Sequence, residues 1–160
     1  MTPRARAALA GSAAAIVWAA AEPLDRRLFR FPYSDVALLG KAFTRTALWR
    51  PVGLAVHTAN GAAAGVAFDA LDRRIGGPRR LNAVTFALAE HVALYPLSHL
   101  SDRLHPARGA SDLPPLARSP RGFAQATFRH LLFGLVLGAL AGPRVRPPRR
   151  RREPSALSRA

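Results

Sequence analysis

No cysteine occurs in the 160 residues. That excludes a disulfide framework, a thiolate-ligated zinc or iron–sulfur centre and a thiol nucleophile. Acidic residues are scarce, nine against 24 Lys and Arg, for a formal net charge of +15. Lys41 is the only lysine, so nearly all of the positive charge is arginine. With abundant Ala, Gly and Pro, that bias matches GC-rich coding, which raises arginine without any demand from a partner. Aromatic residues make up only 8%. None interleaves the C-terminal arginines, so the stacking platform of single-strand nucleic-acid binders is missing. The chain also lacks a G-x-S-x-G elbow, a P-loop and a G-x-G-x-x-G turn, and its isolated serines have no placed base. No catalytic residue is expected, and no enzyme.

What the chain does have is apolar length. Hydrophobic residues make up 49%, which excludes a disordered chain despite the charge. They fall into four runs separated by stretches that hold most of the charge. The runs predict transmembrane helices over residues 5–22, 51–71, 81–100 and 123–142, each near the ~20 residues that cross a bilayer core. Pro51 to Phe68 carries no formal charge, and neither does Leu131 to Gly142. A helix facing water would carry charge along one whole stripe. A soluble Gly/Ala-rich bundle is the alternative. Residues 5–21 also resemble a secretory signal peptide with a small-residue cleavage site at Ala19-Ala20-Ala21.

Two of the runs share a pattern. His57, Gly61 and Gly65 recur as His130, Gly134 and Gly138, and steps of four put each set on one helix face. G-x-x-x-G in an apolar segment lets two backbones approach closely. The first and third runs echo each other through Ala21-Glu22 and Ala89-Glu90, and through Pro23-Leu24 and Pro96-Leu97, though at different offsets. The reading is all-α: a four-helix transmembrane bundle of two repeated helix hairpins, with copies related by an axis along the membrane normal.

The connections complete the layout. Residues 1–143 are expected to form the membrane domain, and residues 144–160 a disordered Arg/Pro-rich tail. Thirteen cations on the side of the termini face ten on the other, which places both termini in the cytoplasm of a multi-pass cell-membrane protein. Ser34-Asp35 can cap a helix, and the spacing predicts a short interfacial helix over residues 35–48 with Trp49 at headgroup depth. It would be a surface connector, or else a lid over an external cavity. The third connection, with Pro106, Pro114, Pro115 and Pro120, reads as irregular loop. Arg144, Arg146, Arg149, Arg150, Arg151 and Arg152 would contact anionic lipid headgroups of the bilayer, with no specific nucleic acid as partner. A homo-oligomer or a membrane-protein partner is possible.

Polar groups inside spans are costly and mark candidate sites. Glu22, His57, Asn60, Glu90, His91, Arg129 and His130 fall at one depth in four separate segments and form a candidate polar belt. Its bland role is structural, with Glu90 paired to Arg129 and Glu22 to His57. Its functional role is a polar cavity for a solute or protons. A third role, His57 and His130 as axial haem ligands, has no further support in the sequence. No metal-ligand spacing such as H-E-x-x-H is present, and neither cofactor nor metal is expected.

The segments Trp18 to Leu28 (WAAAEPLDRRL), Tyr33 to Lys41 (YSDVALLGK), Trp49-Arg50-Pro51 and Phe86 to His91 (FALAEH) carry a resemblance. Through them the chain resembles small uncharacterised multi-span membrane proteins of high-GC bacteria, to about Gly142. The resemblance implies a membrane location and assigns no site residue. The function expected is a structural or accessory bundle with a buried polar belt. The alternative is a small transporter or channel-like protein using Glu90, His91 and His130, and the third class is a soluble basic nucleic-acid-binding helical protein.

Overall fold

The computed structural model describes residues 1–142, and every regular element among them is helical. In chain order these are α1 (Pro3–Leu28), α2 (Asp35–Phe43), α3 (Trp49–Ile75), α4 (Arg79–Leu94), a 3-10 turn (Tyr95–Leu97), α5 (Ser98–Leu104) and α6 (Pro120–Leu140). The all-α expectation holds. The six tail arginines expected to meet lipid, Arg144 to Arg152, lie outside the described residues.

Four long helices occupy the four apolar runs, with different ends. The Thr2 side chain caps α1 by accepting from Ala5 N at 3.2 Å. This helix then continues through Pro23 to Leu28, past the expected end at residue 22. Ser119 caps α6 by accepting from Gly122 N at 3.0 Å, with Pro120 in the first turn, where its missing N–H does no harm. Gly76 and Gly77, at φ 73° and 75°, turn α3 into α4 in a conformation that favours glycine.

The expected third span, 81–100, needs correction. Its helix stops at Leu94, because Pro96 cannot continue the hydrogen-bond ladder. The chain passes through the 3-10 turn into α5, so this connection is not wholly irregular. Of all these helices, α1 and α6 are long and apolar enough to cross a membrane. The 16 residues of α4 fall short in length, and His57, Asn60 and several glycines lower the hydropathy of α3.

The glycines sit where helices touch. A Cβ on Gly11 would fall on the Gly61 carbonyl oxygen, and one on Gly65 would fall on the Ala7 carbonyl oxygen. One on Gly61 would lie 2.5 Å from Ala15 Cβ. These contacts fix α1 and α3 as an antiparallel pair. In the second pair, Gly134 of α6 faces Ala83, Val84 and Ala87 of α4, and Gly138 faces Arg80 and Ala83. The two seams match when positions 73 residues apart are aligned: Gly61 with Gly134, Gly65 with Gly138, His57 with His130, and Pro23 with Pro96. That register favours the proline echo over the Ala21-Glu22 echo, which is about one helical turn out.

The helix expected over 35–48 is shorter, ending at Phe43. It is packed rather than loose on a surface. A third close approach, through Gly40 and Gly53, seats α2 on the first turns of α3. The chain from His105 to Ser119 is tied down over α2. Lys41 Nζ donates to both Asp112 oxygens at 2.6 and 2.8 Å, Ser34 N donates to Asp112 O, and Asp102 accepts from Leu116 N and Ala117 N. Tyr33, Ala37, Leu113 and Leu116 form a small core beneath this cap.

The main core is made of small residues, Ala10, Ala14, Ala15, Ala83 and Ala87, filled in by Trp18, Phe68, Phe133 and Leu137. Apart from Leu137, large aliphatic side chains of the long helices mostly point the other way. Ile16, Leu54, Leu81 and Leu135 are 41–61% exposed, while Arg129, Asp25 and Gln125 are at most 1% exposed.

Candidate functional site: a buried arginine lock beside a histidine-lined cavity

Arg129 is placed by α6 at the end of the bundle away from the Gly76–Gly77 turn. Its Nε donates to Asp25 Oδ2 at 2.6 Å and its Nη2 to Asp25 Oδ1 at 2.6 Å, a two-pronged pair between α6 and α1. Nη2 also donates to Tyr33 O at 3.0 Å, and Nη1 donates to Asp35 Oδ2 at 2.6 Å. Glu22 Oε1 lies 3.9 Å from Nη1. Gln125, one turn before Arg129, donates from Nε2 to Asp25 Oδ1 at 2.7 Å and to Phe31 O at 3.0 Å. Trp18 Nε1 donates to Asp35 Oδ2 at 3.0 Å. Three helices and the turn after α1 thus meet on one guanidinium.

Glu22 has a second role. Its Oε2 accepts from Ser34 Oγ at 2.6 Å, and its Oε1 accepts from Asp35 N at 2.8 Å and Val36 N at 3.3 Å. A carboxylate on the free N–H groups opening a helix is favoured by both hydrogen bonding and the helix dipole. Ser34 completes the cap by accepting from Ala37 N at 3.1 Å.

Burial alone would raise the Asp35 carboxyl. The Arg129 guanidinium, His57 and the hydrogen bonds from Arg129 and Trp18 outweigh it and hold the group below the ordinary carboxylate value. Burial, then the charge of Asp35, push the Tyr33 phenol well above its ordinary value, so its hydroxyl keeps its proton.

The rest of the belt surrounds open space. A cavity of about 500 Å³ is lined by His57, Asn60, Glu90, His91, Arg129 and His130 among others. Trp18 forms one wall, edge-on to His57 at 5.3 Å and to His130 at 4.6 Å between ring centroids. His91 lies 4.7 Å from His130 and donates to, or accepts from, Thr127 Oγ1 at 2.9 Å. Leu38 and Leu39 of α2 contribute to the wall, so this helix bounds the cavity.

The expected pairs are corrected by this geometry. Arg129 bonds to Asp25 and Asp35 rather than to Glu90, which makes no hydrogen bond or ion pair among the described residues. Glu22 bonds to the start of α2 rather than to His57. Asn60 is exposed and lines the cavity rim. The haem arrangement gains no support, because the indole of Trp18 packs against both imidazoles. Among the described residues no group of three His, Asp or Glu could hold a metal ion.

Sequence reasoning missed Asp25, Asp35, Gln125 and Trp18. A usable signal existed: Trp18, Glu22 and Asp25 follow i, i+4, i+7 spacing, and Gln125, Arg129 and Phe133 follow i, i+4, i+8. Each set marks one helix face. Ending the first span at residue 22 put Asp25 outside the bundle and hid the acid that arginine needs. No family model, curated protein or solved structure matches the chain.

Proposed function

We propose that the chain is a four-span membrane protein with both termini in the cytoplasm, in which α1, α3, α4 and α6 hold a ligand-binding cavity near the opposite membrane face. One observation carries this reading: charged and amide side chains are buried in the bundle while large aliphatic ones face outward from every long helix. Arg129, Asp25 and Gln125 are sealed inside, and Ile16, Leu54, Leu81 and Leu135 face outward. In water, exposed leucines on every long helix would gain nothing from that arrangement. In a bilayer the same leucines meet hydrocarbon, and the sealed charges of Arg129 and Asp25 find their partners within the protein.

The accessory role expected of the belt divides in two. Arg129 with its carboxylates is the structural part, tying helices together. The cavity is the functional part, because a bundle needing only rigidity would close it. At 16 residues α4 rises about 24 Å, short of a ~30 Å core. Leu97, Leu100 and Leu104 beyond it remain exposed and extend the apolar surface along α5. The same lock argues for α1 as a lasting span rather than a removable leader, since it contributes Trp18, Glu22 and Asp25.

The absence of native cysteine makes the test clean. Single cysteines at Ala63 and Leu135, both outward-facing, should resist a membrane-impermeant maleimide in intact cells, while one at Arg103 should label. The protein should stay in the membrane fraction through high salt and carbonate. Recovery in the soluble fraction, or rapid labelling at Ala63 and Leu135, would overturn the reading.

A further inference from the structure

We infer that the cavity recognises a protonated amine carried on an apolar body, an inference that rests on the membrane-embedded cavity proposed above. Its basis is the hydrogen-bonding capacity left over in the wall. Thr127 Oγ1 donates its single hydrogen to Phe123 O at 2.8 Å. It must therefore accept from His91 Nε2, 2.9 Å away. That fixes the hydrogen of neutral His91 on Nε2 and leaves a lone pair on Nδ1. His130 Nδ1 sits 2.8 Å from the Ala126 carbonyl oxygen, which can only accept. Its hydrogen is therefore on Nδ1, and Nε2 of the neutral ring is an acceptor.

Two more wall groups are unsatisfied. His57 and Ser98 are each only 8% exposed, and His57 Nε2 and Ser98 Oγ have no partner. Glu90 adds an unpaired carboxylate at the same cavity. The cation of that wall, Arg129, is already committed to Asp25, Asp35 and the Tyr33 carbonyl. What remains includes the lone pairs of His91 Nδ1 and His130 Nε2 and the Glu90 carboxylate, beside the Ser98 hydroxyl, which can accept as well as donate. An ammonium group offers three donors and one positive charge, which complements that set. A carboxylate or phosphate would meet lone pairs and Glu90. Leu94, Leu97 and Leu116 in the same lining supply the surface for an apolar body, and Trp18 adds an aromatic ring to the wall.

Trp18 reports on the cavity directly once Trp49, the other tryptophan, is replaced by Phe. The full chain carrying Trp49→Phe is placed in phosphatidylcholine nanodiscs and titrated with benzylammonium, benzyl alcohol and benzoate. Saturable change in Trp18 emission is expected for benzylammonium, with the alcohol weaker by about tenfold or more and benzoate showing no saturation. Glu90→Gln should weaken benzylammonium by a similar factor while leaving the thermal melt in place, since Glu90 holds no partner.

Benzoate binding as well as the amine, or Glu90→Gln binding unchanged, overturns the amine assignment and leaves the cavity standing. Silence from all three probes overturns both. Adding phosphatidylethanolamine to the discs separates two sources of the same chemistry. Competition with benzylammonium assigns the site to a lipid amine, and no competition assigns it to a free one.

Discussion

The two glycine seams repeat one geometry at two different tolerances. In the α1–α3 pair both helices contribute glycine, and an added Cβ meets backbone oxygen. In the α4–α6 pair only α6 does; a Cβ on Gly134 would still meet Val84 Cα at 2.7 Å and the Ala83 carbonyl oxygen at 2.9 Å, but at Gly138 nothing lies closer than 3.0 Å. The chemistry at their far ends differs too. The first pair, with α2, brings Glu22, Asp25 and Asp35, whereas the second brings Arg129 and Gln125. Close packing therefore holds each pair together, and opposite charge, added to the apolar core that all four helices share, holds one pair to the other. Repetition supplied the scaffold, and divergence at one end made a lock.

Breaking the lock should have the largest effect. Arg129→Met leaves Glu22, Asp25 and Asp35 buried without their cation, a loss of about 3–5 kcal/mol. The expected outcome is little monodisperse protein after detergent extraction. Combining it with Asp25→Leu should recover part of the loss, because an apolar pair replaces the ionic one. A melting temperature for Arg129→Met equal to that of the parent would show that the pairs dock without charge.

Next comes the same substitution made in both seams. Gly11→Ala forces a methyl onto the Gly61 carbonyl and should destabilise by about 1–3 kcal/mol. Gly138→Ala places its methyl 3.0 Å from Arg80 Cα and 3.1 Å from Ala83 Cβ. The few tenths of an ångström needed there are offset by the better helix propensity of alanine, worth about 1 kcal/mol. Gly138→Ala should therefore melt within a few degrees of the parent, well above Gly11→Ala. Equal melting of the two variants would erase the distinction between the pairs.

Ser34→Ala probes what only the first pair carries, a third helix attached through a cap. Losing the cap should reduce stability by about 1 kcal/mol and free α2 before the long helices unfold. Hydrogen exchange at Ala37 N should then rise while exchange in α6 stays slow. Unchanged protection at Ala37 would mean that the Gly40–Gly53 contact alone holds α2.

The long helices and their glycine faces were legible because they depend on local spacing, which a sequence displays. The G-x-x-x-G steps at Gly61 and Gly134 needed no partner to be recognised. Helix ends were less legible. Pro23 sits inside α1 whereas Pro96 ends α4, although both come after similar apolar runs. The cause lies on the C-terminal side of each proline. Beyond Pro23 the helix still has Asp25 to deliver to Arg129, and that tertiary bond outweighs one missing backbone bond. Ionic partners were the least legible, since charge and depth allow Glu90, Glu22 or Asp25 for Arg129. Distance along the chain carries no information about which of them the fold brings within 2.6 Å.

The smallest effect expected concerns Asp35, which joins α2 to Trp18 and to Arg129. Its carboxyl is held below the ordinary value of about 3.9. A carboxylate favoured in the folded state stabilises fully above its unfolded value and loses that contribution as pH falls through its folded value. Its side chain is 23% exposed, so solvent screens part of the interaction. Parent and Asp35→Asn should therefore differ by a constant melting offset from pH 7 down to about 5. Below about pH 4 the offset should shrink as the parent loses its own charge there. An offset that stays constant or widens toward acid would show that Arg129 does not stabilise the ionised form. The short ionic contacts of Arg129 would then stabilise through Asp25.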